Sequence, residues 1–168
     1  MEITMIKTDY HFTKINLQSL FNYADGNLYW KSRKGRRIAG TLAGTASNHY
    51  HQICINYTLY RTHRIIWAYH YGPSQLSIDH INGNSFDNHI ENLRECTNAE
   101  NQYNRKKSKN NASGVKGISW SKQKQKWRGR ILFDGKEFHI GFFEKLQEAK
   151  KAIEQKRTIL HGVFSRHF

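Results

Sequence analysis

The sequence predicts an α+β protein made of small modules, each pairing a short antiparallel sheet with a helix. Three observations predict it. Short alternating apolar runs flank the turn dipeptides Asp25-Gly26 and Asp134-Gly135. The tetrad Thr97-Asn98-Ala99-Glu100 is a capping box, which starts a helix directly after one such run. A linker over residues 106–113, rich in Lys, Asn and Ser, sets the last module apart.

The first section covers about residues 15–72. Leu17, Leu20 and Phe21 have helical spacing. Asp25-Gly26 turns the chain into the strand Leu28-Tyr29-Trp30, and a basic loop over 31–37 follows. Residues 50–60 alternate as strands do. A helix runs from Thr62, its N-cap, to Tyr71, and Gly72-Pro73 stops it. His63, Trp67 and His70 share one face of that helix. The face suits a second metal site or histidines packed against a hairpin, and packing is the expectation.

The second section covers residues 76–107. Ser77–His80 is a short strand, 83–88 a loop and 90–96 the return strand. Asn101 then falls in the first turn of the capped helix, facing back toward the strands. Arg105, one turn on, shares its face. In the third section the expected strands are 115–120, 126–133 and 136–142, joined at the end by Asp134-Gly135. A helix over 145–160 carries Leu146, Ala149, Ile153 and Leu160 as its apolar stripe, with Gly162 at its end.

The chain has 168 residues, enough for one ordinary domain or two small ones. A chain of this size buries roughly 70% of its unfolded surface. Charge is the strongest compositional signal. Lys and Arg number 27 against 13 acidic residues, a net charge of +14. Such a field attracts polyanions. No apolar run reaches the ~18 residues of a membrane span. The N-terminal segment lacks the apolar region of a signal peptide, so an intracellular, cytoplasmic protein is expected. Cys54 and Cys96 lie far apart and form no CxxC pair, which excludes a cysteine-ligated zinc clamp.

The stretch from Ile78 to Asn101 carries the chemistry. Asp79 and His80 are adjacent, Asn92 follows His80 by twelve residues, and Asn101 follows Asn92 by nine. Phosphodiester hydrolysis needs a deprotonated water and a stabilised leaving oxygen. His80 has the intrinsic pKa to take the proton near neutrality. The Asn92 carbonyl is placed to accept a hydrogen bond from the other ring nitrogen and fix its tautomer. Asp79 and Asn101 offer a carboxylate and an amide oxygen, a hard set suited to one Mg²⁺ or Mn²⁺ and not to zinc. Arg94 and Arg105 are candidates for clamping phosphates.

Asp79-His80, Asn84, Asn88 and Asn92-Leu93-Arg94 resemble the HNH endonucleases, in the subclass common among phage-encoded and homing enzymes. The upstream His63-Arg64 is also typical of that subclass. The resemblance spans about residues 17–105. It implies a ββα-metal core at about 76–107 within a nuclease domain over 1–107. It also implies that Asp79 and Asn101 bind the metal, His80 is the general base and Asn92 orients it. Asn101 stands where the family's name has a final His.

A second resemblance covers the remainder. SGVKGISWSKQKQKWRGRI, then GKEFHIGFF, then a helix ending LHGVF resembles the Apetala-two/ethylene-response-factor DNA-binding domain. It implies a small three-stranded antiparallel sheet packed on one helix, over residues 113–168 after a linker at 108–112. Trp127, Gly129, Ile131 and Phe133 then face the helix, as do Phe138, Ile140 and Phe142. Arg128, Arg130, Leu132 and His139 face outward. From Arg105 to Arg130 there are ten basic residues and no acidic one. The candidate DNA contacts are Lys116, Ser119, Ser121, Lys122, Lys126, Arg128, Arg130 and His139. Trp120 is suited either to stacking on the backbone or to the core. Ser119, Ser121 and Glu137 replace arginines of the family, so its base preference does not transfer.

Together these imply a metal-dependent endonuclease acting on double-stranded DNA, located in a bacterial cell if phage-encoded. The oligomeric state is left open, with a monomer allowed. Two alternatives are a DNA-binding regulator that has lost cleavage and an RNA-directed protein. The second lacks the aromatic motif of the common single-strand RNA readers.

Overall fold

The computed structural model describes residues 17–33, 35, 37–105, 107 and 110–166. The expected start at Ile15, the N-terminal segment, part of the basic loop (Lys34, Arg36) and part of the linker (Lys106, Ser108, Lys109) lie outside these residues. The protein is mixed α+β, with small antiparallel sheets and few helices. It divides into two compact units, residues 1–96 and 97–168.

The first unit begins with a single helical turn, α1 (Leu17–Leu20), which passes directly into strand β1 (Phe21–Ala24). β1 pairs with β2 (Asn27–Trp30) through a turn in which Asp25 and Gly26 both have positive φ, 47° and 72°. That is the geometry a tight hairpin demands and the reason for the Asp-Gly pair. β3 (Thr45–Ala46), β4 (His51–Ile55) and β5 (Thr58–Arg61) form a second sheet, with Asn56 and Tyr57 turning at φ 47° and 62°. Helix α2 (Thr62–Tyr71) follows, N-capped by Arg61 rather than Thr62, and ends at Gly72 as expected. Then β6 (Ser77–His80) pairs antiparallel with β7 (Leu93–Cys96). Residues 90–92, expected as the start of the return strand, make a 3-10 turn instead. Phe21, Leu28, Trp30, Ile53, Ile65, Ile66, Ile78 and Leu93 share one core. Ile78 and Leu93 tie the β6–β7 hairpin into it, which gives the hairpin a rigid base.

The second unit begins at α3 (Asn98–Tyr103). Both bonds of the capping box form: Thr97 N donates to Glu100 Oε2 at 2.7 Å, and Glu100 N donates to Thr97 Oγ1 at 3.2 Å. The helix therefore starts where the tetrad predicts, but it groups with the second unit. β8 (Ile118–Ser121), β9 (Lys126–Phe133) and β10 (Lys136–Phe143) form an antiparallel sheet with β9 at its centre. α4 (Leu146–His161) packs on it, and Val115, Ile118, Ile131, Ala149 and Ile153 make a separate core.

The expected parity holds along β9. Gly129 and Ile131 are buried, while Arg130 and Leu132 are exposed. Along β10 it changes. A register shift between His139 and Gly141 inserts Ile140 as a bulge. Past the bulge, Phe143 packs into the core and Phe142 lies opposite Arg128, 40% exposed. The expected inward position of Phe142 belongs to Phe143. Gly117 is required beside this sheet. It has φ +79°, and a Cβ there would meet Arg130 O at 2.5 Å.

Candidate active site and nucleic-acid interface

Pairing sets the candidate active site. Asp79 lies opposite Arg94, and His80 opposite Leu93. Leu93 is buried in the core, so the end of β6 is held firmly and His80 is only 5% exposed.

The loop from β6 to β7 is built by its own amides. Asn92 Oδ1 accepts from Asn82 N at 3.0 Å, and Asn92 Nδ2 donates to Asn82 Oδ1 at 3.1 Å and to Asp87 O at 2.8 Å. Asn82 Nδ2 donates to Asp87 Oδ2 at 2.6 Å, and Asn84 N donates to Asn82 Oδ1 at 2.8 Å. Tyr23 fixes the loop's far end, its hydroxyl accepting from Ile90 N at 3.0 Å. These bonds satisfy the backbone locally, as Asn and Asp do in tight loops.

The loop carries Asn88 inward, 2% exposed, with its Oδ1 3.0 Å from His80 Nε2. The expectation gave this contact to Asn92. The structure gives it to Asn88, because the Asn92 amide is committed to the loop. With Nε2–H donating to Asn88, a neutral ring carries its basic lone pair on Nδ1.

A second histidine backs the first. The rings of His63 and His80 meet edge to face, 4.8 Å between centroids, and Tyr50 lies 5.6 Å from His63 on another side. His63 is 3% exposed and its Nδ1 has no hydrogen-bond partner among the described residues. Burial holds the His63 imidazole well below its ordinary range, helped by the charges of His80, Arg61 and Arg64. Burial also lowers His80, against the Asn88 hydrogen bond and the carboxylates of Asp79 and Asp87. Both shifts favour the neutral ring, the state a general base requires. On the helical face of His63, Trp67 and His70, His63 is buried against His80, Tyr23 meets the exposed His70 edge to face at 4.6 Å, and Trp67 meets Tyr71 of the same helix at the same distance.

Asp79 is 9% exposed, and Arg94 donates to its Oδ2 from Nε at 3.3 Å and Nη2 at 3.0 Å. The arginine expected to clamp a phosphate thus sits on the carboxylate expected to hold the metal. Asn101 lies on α3 in the second unit, half-buried. Among the described residues no three His, Cys, Asp or Glu side chains converge as a metal cluster. The Asp79 carboxylate is by its chemistry a hard oxygen ligand. Cys54 is exposed and Cys96 buried, and the two form no disulfide; the Cys96 thiol donates to Ser77 O at 3.6 Å.

In the second unit the outer sheet face collects most of the expected DNA contacts. Ser119 pairs with Arg128 and Ser121 with Lys126, while His139 pairs with Arg130. All six share the parity of the exposed face, and Lys122 follows in the exposed turn. Two of the cations have carboxylate partners: Arg130 Nη1 is 2.9 Å from Glu137 Oε2, and Lys126 Nζ is 3.3 Å from Glu144 Oε1. Trp120 meets Trp127 edge to face at 5.0 Å and is 43% exposed, so it is neither wholly core nor wholly surface.

Lys116 is not on that face. It is half-buried, donating from Nζ to the carbonyls of Tyr103 and Arg105, both at 2.7 Å. Arg105 lies past the end of α3, with Nη1 on Gln102 Oε1 at 2.8 Å. The contribution of Asn88 and the edge-to-face contact of His63 with His80 are not legible in the sequence. Asn88 belonged to the motif, but nothing in its spacing shows which asparagine meets the ring.

The HNH endonuclease family model matches residues 60–103, which include α2, the β6–β7 hairpin and its loop. HNH nucleases in general act on DNA and use a divalent metal. The chain is also similar to "Protein 3.8" of Escherichia phage T7, 40% identical over 108 residues, which cover 63% of this chain and 88% of that protein. No solved structure matches. No helix among the described residues is long and apolar enough to cross a membrane.

Proposed function

The chain belongs to the family of phage T7 Protein 3.8 and carries an HNH endonuclease domain; from that premise we propose that it is a metal-dependent endonuclease of double-stranded DNA. The observation that carries this reading is the buried His80 ring held by Asn88 beside Asp79, inside the segment the HNH family model matches.

In this reading the β6–β7 hairpin and its loop are the centre of the nuclease site. His80 Nδ1 takes a proton from the attacking water, and Asn88 keeps the ring at the angle this requires. Asn92 shapes the loop that delivers Asn88, so it acts one step behind the chemistry. His63 excludes water from one side of the ring and limits its rotation. Asp79 would contribute a hard oxygen ligand to the metal once Arg94 releases it, and a bound ion would supply Lewis-acid stabilisation of the leaving oxygen. The second unit reads duplex DNA with its basic outer face, in the manner of the Apetala-two/ethylene-response-factor domains. Tethering this reader gives a weakly selective nuclease a raised local concentration at its site, which suits a homing role.

The ion pair of Arg94 with Asp79 favours a second reading, a DNA-binding regulator that does not cut. Conversion of supercoiled plasmid by the wild-type protein in Mg²⁺, Mn²⁺ or EDTA separates the two. Nicked or linear product that requires the metal supports the nuclease. Intact plasmid, on DNA the protein binds and with its target present, supports the regulator.

A further inference from the structure

β8 pairs with β9 only from Lys126 to Gly129, so half of β9 runs on without that neighbour. Beside it lies a cleft of about 550 Å³, within the second unit. Arg105, Lys107, Lys116, Arg130 and Arg157 all line it, and no carboxylate does so among the described residues.

Neutral oxygens position four of these cations, while Arg130 pairs with the Glu137 carboxylate at 2.9 Å. Lys107 Nζ donates to Gly114 O at 2.8 Å, and Lys116 Nζ to two carbonyls. Arg157, 1% exposed, donates to the carbonyls of Lys116 and Arg166. A carbonyl fixes where a cation points but leaves its unit charge in place. The arrangement is costly on its own. Burial and the guanidiniums of Arg157, Arg166 and Arg105 push the Lys116 ammonium down to about 8. A bound anion would relieve that repulsion, and the partly buried setting would strengthen its attraction. Tyr103 and His161 close one wall, stacked with 4.1 Å between centroids and 7° between planes.

We propose that this cleft is a phosphate-binding site that seats one phosphate group of a DNA strand. It deepens the DNA-binding reading and rests on it. Guanidiniums suit phosphate by paired donation, and the ammonium adds a compact charge. Arg130 belongs both to the cleft and to the outer face of β9, so a strand crossing that face arrives at the cleft. A pocket of this size holds far more than a chloride ion.

The full-length protein tests this with two probes. The first is inorganic phosphate, read as a rise in Tm against chloride of equal ionic strength. The second is duplex DNA affinity measured across salt. Wild type should be stabilised by phosphate specifically. Lys116→Met with Arg105→Gln should lose that stabilisation and lower the DNA salt slope by about one. Arg105→Gln alone, at an exposed residue, guards against misfolding and should lose part of each effect. Equal Tm in phosphate and chloride, with an unchanged salt slope, would overturn the site. Phosphate stabilisation with an unchanged slope would overturn the strand as its source and leave a free phosphate ester. Failure of the wild type to bind duplex at all would sink the DNA reading, while the phosphate arm still tests the cleft.

Discussion

Asn88, not Asn92, meets the ring of His80: its Oδ1 lies 3.0 Å from His80 Nε2, while the amide oxygen and nitrogen of Asn92 both bond within the loop. Two asparagines of one loop therefore divide one task. One shapes the loop, and the other uses that shape to hold the imidazole.

The division predicts different losses. Asn88→Ala should slow cleavage about tenfold to hundredfold, as loss of an orienting partner does, with duplex affinity unchanged. Asn92→Ala should instead destabilise the fold, by about 0.5–1.5 kcal/mol for loop hydrogen bonds lost at partly exposed partners. Urea unfolding of both variants checks this. An Asn92→Ala protein as stable as wild type would remove the loop-shaping role.

Arg94 and Asp79 form an ion pair with side chains 16% and 10% exposed. Removing one partner of such a pair typically costs about 3–5 kcal/mol, because the other charge stays buried. Arg94→Met should approach that loss, and Arg94→Met with Asp79→Asn should recover most of it. Millimolar Mg²⁺ should raise the Tm of Arg94→Met more than that of the double variant, since a cation can then answer the exposed carboxylate. Equal Mg²⁺ shifts in the two proteins would argue against metal binding at Asp79.

Much of this was legible in the chain. Asp25-Gly26 and Asp134-Gly135 specify their turns because both residues adopt positive φ. The Thr97 capping box locates the start of α3, since its two bonds are local. What needed the structure is tertiary. Phe142 and Phe143 are both aromatic, so the sequence cannot show that a bulge at Ile140 exchanges their faces. Arg157 continues the buried stripe of Ala149 and Ile153, a place where burial is decided by acceptors from elsewhere. The ring partner of His80 depends on how the loop between β6 and β7 folds, which spacing does not encode. The strand alternation of β9, by contrast, was readable because Gly129 and Ile131 stand between arginines and an exposed leucine.

Lys116 gives a pH signature. Its folded pKa lies near 8 against an ordinary 10.5. Between those values the unfolded chain holds a proton that the folded chain has lost, so unfolding takes up a proton and stability rises with pH. Below pH 8 both states are protonated and the full cost is present. The Tm difference, wild type minus Lys116→Met, should therefore rise between pH 8 and pH 10 and stay flat between pH 6 and pH 7. A difference independent of pH would show that the carbonyls of Tyr103 and Arg105 keep the ammonium charged.

The outer face of the sheet should govern DNA affinity without touching catalysis. Arg128→Ala with Arg130→Ala should weaken duplex binding across sequences and lower the salt slope by about two, one per lost phosphate contact. Equal affinity at every salt concentration would move the interface elsewhere.

The central claim is that His80 is the base. Its most direct test is single-turnover cleavage of duplex DNA by wild type and His80→Ala, at protein concentrations that saturate the DNA and with Mg²⁺ or Mn²⁺ present. The account predicts equal binding and a cleavage rate lowered at least about hundredfold. Cleavage by His80→Ala at the wild-type rate would contradict it and place the proton acceptor on another group.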